Sequence, residues 1–63
     1  MKKTDLIREL SYIVKDRLIE RNIVLDDRNF GYVVNTLMCD MAQGYSESRM
    51  YRHLDSMLKM VRA

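Results

Sequence analysis

The run Asn29-Phe30-Gly31-Tyr32-Val33-Val34-Asn35-Thr36-Leu37-Met38-Cys39 holds no charged residue, in a chain that is 32% charged. Phe30, Val33, Val34, Leu37 and Met38, with Met41 just beyond, recur at the three- and four-residue spacing of one helical face. The other face holds Tyr32, Asn35, Thr36 and Cys39, where a surface helix normally carries charge. A helix that is apolar on one side and uncharged on the other reads as covered on both. Gly31 sits beside the stripe, where it costs up to about 1 kcal/mol relative to alanine; a close backbone approach would explain it.

Working outward, this helix begins after Asp26, a good N-cap with Asp27 in the first turn, and runs over about 27–43, with Gly44 suited to the C′ position. Before it, Leu6, Ile7, Leu10, Ile13, Val14 and Leu18 share one stripe and predict a first helix over about 4–21. Thr4 is its expected N-cap, and Asn22 can take a left-handed C′ conformation. Tyr12 and Ile19 lie on the far side of that helix and suggest a second covered surface. After it, Ser46 as N-cap puts Tyr45 at N′ and Met50 at N4, the two positions of a hydrophobic staple. A third helix over about 46–62 follows, with Met50, Leu54, Met57, Leu58 and Val61 as its stripe. Ser48, Arg49, Arg52, Asp55, Ser56, Lys59 and Arg62 take its other side. The class is all-α, a single three-helix domain spanning 1–63, with connections short enough for antiparallel or sharply angled neighbours.

Sixty-three residues exclude a multidomain enzyme. A chain this short buries only about 60% of the surface its unfolded form exposes, so small domains lean on disulfides, metals or self-association. One cysteine, Cys39, and one histidine, His53, provide neither an internal disulfide nor a zinc site, which leaves self-association, with a dimer as the expected state. Tyr32, Thr36 and Cys39 are its expected interface. Charged residues from Lys2 to Glu9 interrupt the stretch a signal peptide would need, and no apolar run approaches the roughly twenty residues that span a bilayer. The expectation is therefore a cytoplasmic protein without membrane contact. A net charge of +2 is only mildly basic, so the placement of charge matters more than its sum.

Gly44-Tyr45-Ser46-Glu47-Ser48-Arg49-Met50-Tyr51-Arg52-His53-Leu54 resembles the turn and recognition helix of helix-turn-helix DNA-binding proteins. In those families a turn glycine is followed by an apolar residue and a serine, with an apolar anchor four positions beyond the serine; Gly44, Tyr45, Ser46 and Met50 match. The resemblance implies DNA contact through Ser46, Ser48, Arg49, Tyr51 and Arg52. Hydroxyls and helix N-terminal amides suit phosphate, and arginines suit guanine edges or phosphate. The preceding helix departs from the family, with Asp40 where a small residue is usual and Gln43 where an apolar one is.

Arg17 and Arg21 fall inside the apolar stripe of the first helix. They either snorkel their heads into water or form a basic cleft for a phosphate-bearing ligand or a partner's carboxylates. Cys39 reads as a small buried hydrophobe, His53 as a helix-edge residue beside Met50 and Met57, and the methionines mainly as core. No catalytic, metal or cofactor signature is present in the sequence. The leading expectation is a small non-enzymatic regulator of phage or mobile-element type, contacting DNA through its third helix as an oligomer. The competing one is a helical oligomer that inhibits a host protein or sequesters a phosphorylated small ligand at a subunit interface.

Overall fold

A computed structural model describes residues 3–61, with α1 at Lys3–Arg21, α2 at Asp27–Ala42 and α3 at Glu47–Val61. The side chain of Val61, and Arg62 with the expected end of the third helix, lie outside the described residues. Each helix contributes three buried residues to one core: Leu10, Val14 and Leu18 from α1, Val33, Val34 and Leu37 from α2, and Leu54, Met57 and Leu58 from α3. These are the positions that helical periodicity places inward. Helix α2 packs along both α1 and α3, so it forms the spine of the fold.

Local chemistry sets the boundaries. The Asp26 carboxylate accepts a hydrogen bond from the Asn29 amide at 2.8 Å, and the Ser46 hydroxyl one from the Arg49 amide at 3.3 Å, so both act as N-caps. Helices α1 and α2 end in the same way. Asn22 adopts φ 55° while its amide bonds Ile19 O and the Ile23 amide bonds Leu18 O. Gly44 adopts φ 83° while its amide bonds Met41 O and the Tyr45 amide bonds Asp40 O. Each pair of bonds is a Schellman closure, in which a left-handed C′ residue satisfies the last carbonyls. Ile23 and Leu18 both join the core, completing the apolar contact that accompanies this motif.

Three expectations need correction. Helix α1 starts at Lys3, so Thr4 lies within the first turn and is not the N-cap. Met41 is exposed and Asp40 is buried, because the inward arc of α2 is centred on Val33, Leu37 and Asp40. Cys39 is exposed and not part of the chain's own core. The back face of α2 stands open on the single chain, with Tyr32 59% exposed.

Candidate nucleic-acid interface

Ser48, Arg49, Arg52, Ser56 and Lys59 of α3 are all exposed, and the acidic residue on their side of the helix, Asp55, is half-buried and faces Arg17 and Arg21 of α1. Glu47, in the first turn, is exposed beside a groove that Leu6 and Ile13 of α1 also line. Ser46 caps the helix with its hydroxyl, so its side chain serves α3 before any ligand. Tyr51 is half-buried against the core, beneath the Arg17 guanidinium at 5.1 Å from the ring centre. Of the five residues named by the resemblance, Ser48, Arg49 and Arg52 therefore share the exposed face of α3, Ser46 stands at its start, and Tyr51 turns toward α1.

Arg49 is not a loose surface cation. Its guanidinium carbon lies 4.1 Å above the Tyr45 ring, and that ring sits 6.3 Å from the imidazole of His53. The Nδ1 of His53 meets Asp40 Oδ2 at 2.5 Å, a link from the second turn of α3 back to the end of α2. With an ionised carboxylate as acceptor, Nδ1 carries the hydrogen and Nε2 is left over. Asp40 is only 4% exposed, and burying a carboxylate is tolerable only when it is paired. Its backbone carbonyl also receives the Tyr45 amide, so one residue ties together the turn, the aromatic ring and α3. Tyr45, Arg49, Arg52, His53 and Ser56 surround a shallow basin of about 380 Å³.

Arg17 and Arg21 hold a carboxylate that belongs to the chain itself. Asp55 Oδ1 lies 3.0 Å from Arg21 Nη2 and 3.6 Å from Arg17 Nε, while Arg17 also reaches Glu20 at 3.3 Å. The oxygen is sealed from water and meets both guanidinium groups at ion-pair distance without an aligned hydrogen bond. The pair thus joins α1 to α3 beyond the apolar core, and an external phosphate would have to displace Asp55. On α2, Tyr32 and Cys39 are exposed and Thr36 is half-buried, its hydroxyl donating to Tyr32 O at 2.8 Å. Among the described residues, nothing beyond its chain neighbours and its own helix backbone lies within 4 Å of where a Gly31 Cβ would stand.

Two functional relationships escaped the reading of the sequence. Asp40 stands seven residues after Val33 and three after Leu37, a spacing that puts it on the buried face and calls for a partner of opposite charge or a hydrogen-bond donor. Two arginines inside an apolar seam likewise call for a carboxylate on a facing helix, and α3 has few acids to offer. Among the described residues, no group of acidic, histidine or cysteine side chains could hold a metal ion, and no helix is long and apolar enough to cross a membrane. Compared with known proteins, the chain matches no family model, no curated protein and no solved structure.

Proposed function

We propose that this chain is a small cytoplasmic, non-enzymatic regulator of phage or mobile-element type that contacts DNA through the exposed face of α3 as a homodimer. The observation that carries this reading is the sorting of charge on α3. Arg49, Arg52 and Lys59 project from the exposed face of α3, and the carboxylate nearest to them in the helix, Asp55, is drawn toward Arg17 and Arg21 of α1. Such a face attracts the phosphate backbone, and exposed arginines are the side chains suited to guanine edges. Nuclear magnetic resonance tests it directly. Adding a duplex to the labelled protein should shift the amides of Ser48, Arg49, Arg52, Ser56 and Lys59 and leave those of Arg8 and Lys15 on α1 in place. The reverse pattern rejects α3 as the interface.

Self-association through α2 supports the same reading, since a dimer places two copies of α3 at a fixed spacing on the duplex. Gly31 is the informative residue. It weakens a helix interior, yet no neighbour within the chain needs the space it leaves open, so an approaching second copy of α2 accounts for it. Thr36→Glu, which sets a charge on that face, should raise the dimer dissociation constant at least about tenfold in sedimentation, corresponding to roughly 1.4 kcal/mol. An unchanged mass distribution would remove α2 from the interface.

A second reading, an oligomer that blocks a host protein, is favoured by one feature. Leu6, Ile13, Met41 and Met50 line a groove of about 360 Å³ with Glu9 and Glu47 beside them and, among the described residues, no cation in its lining. An apolar segment flanked by Lys or Arg is the occupant whose charge would complement it.

A further inference from the structure

We propose that His53 is a further phosphate-contacting residue, held in position by the buried carboxylate of Asp40, and that the basin among Tyr45, Arg49, Arg52, His53 and Ser56 receives one phosphodiester of the DNA backbone. This inference rests on the DNA reading above and adds to it a ligand group, a site and a positioning residue.

The geometry builds the basin from its floor upward. Asp40 is buried in α2, and the imidazole of His53 is tethered to it through Nδ1. A five-membered ring fixed at one nitrogen has little freedom left, so Nε2 is the atom that His53 offers to the basin it lines. The Tyr45 ring supports the other wall, with Arg49 stacked upon it. Arg52 and Ser56 complete the rim from the next turns of α3. Three nitrogen-bearing side chains and two hydroxyls, those of Tyr45 and Ser56, thus surround a space open to solvent, and the Asp40 carboxylate behind it is already bonded to His53.

The chemistry of a phosphodiester fits that set. Its two unesterified oxygens accept hydrogen bonds and carry one negative charge, which guanidinium groups meet with paired donors. Asp40 engages Nδ1, so Nε2 is the ring nitrogen left to meet a phosphate oxygen. The groups facing the ring are Asp40 from α2, Tyr45 from the turn, and Arg49 and Arg52 from α3. Asp40 is thus a positioning residue, and it explains why an acidic side chain stands at the α2 position where helix-turn-helix proteins usually have a small one.

Nuclear magnetic resonance and calorimetry of the full chain with a 16-base-pair duplex test the proposal. The side-chain Nε2 resonance of His53 in the wild type should move on binding. His53→Gln retains a hydrogen-bond donor for Asp40 and should weaken binding about three- to tenfold on every sequence, as expected of a phosphate contact. Asp40→Asn should weaken binding as well, with Arg49 and Arg52 unchanged. A wild-type Nε2 resonance unmoved by saturating duplex overturns the proposal even if both variants fail to fold, and so does a His53→Gln variant with unaltered affinity. Absence of any duplex binding by wild type overturns the DNA reading itself and this inference with it.

Discussion

Leu54→Ala should leave most of the protein unfolded at 25 °C, seen as loss of the helical circular dichroism signal without added denaturant. Leu54 is 1% exposed and belongs to the single cluster into which all three helices pack. Truncating a buried leucine costs about 2–5 kcal/mol, the transfer energy of the lost carbons plus the cavity they leave. A domain of this size has a total stability of roughly 3–9 kcal/mol, toward the low end when little surface is buried. The loss therefore approaches the whole, and because the outward residues of α3 are held in place only by its inward ones, DNA binding should disappear with the fold. Met60→Ala in the same helix is the control: Met60 is 82% exposed, and its removal should change stability by no more than about 0.5 kcal/mol. Similar melting of the two variants would mean that α3 does not pack as described.

The Arg49→Ala, Arg52→Ala double variant should behave in the opposite way, keeping its fold and losing its ligand. Both side chains are exposed, and alanine is the better helix former, so helicity should hold. Among the described residues, the polar or cation–π contact given up is that of Arg49 with the Tyr45 ring, worth about 0.5–1 kcal/mol at an exposed site. In the proposed dimer this removes four cations from the face assigned to DNA. Each phosphate neutralised contributes about 0.9 to the dependence of log K on log salt, so the slope should fall by about three to four. If one arginine also reads a base, discrimination at that position should fall by about 1–3 kcal/mol. Together these losses weaken binding near physiological salt by more than about a hundredfold. Equal affinity of the variant and wild type would end the DNA reading.

Those two results separate what the sequence makes legible from what it does not. The helices and their ends follow from local chemistry. Asp26 and Ser46 accept from amides three residues on, and Asn22 and Gly44 adopt the left-handed conformation that closes a helix. Such interactions span three to six residues, within reach of sequence spacing. The exposed cations of α3 are legible for the same reason, since they stand opposite an apolar stripe. What sets the site's geometry is not local. Asp40 and His53 are thirteen residues apart and meet only because the turn at Gly44 folds α3 back onto α2. The periodicity of α2 points to Met41 as the inward residue, yet the pairing with His53 offsets the cost of burying Asp40 and so permits a carboxylate there. The pairing of Arg17 and Arg21 with a carboxylate of the chain itself is hidden for a like reason. Their partner Asp55 lies on another helix, and nothing within α1 reveals it. Exposure of Cys39 and Tyr32 follows from a different limit: the sequence shows an uncharged face, whereas only the packed chain shows that no part of itself covers that face.

The central claim is that α3 presents its cations to a duplex, and the salt dependence of duplex binding measures this most directly. With Arg49, Arg52 and Lys59 from each of two protomers, log K for a random-sequence duplex should fall linearly with log salt at a slope of about −5. Affinity that does not change between 50 and 200 mM salt, or no binding at about 50 mM where the electrostatic attraction is strongest, would contradict it.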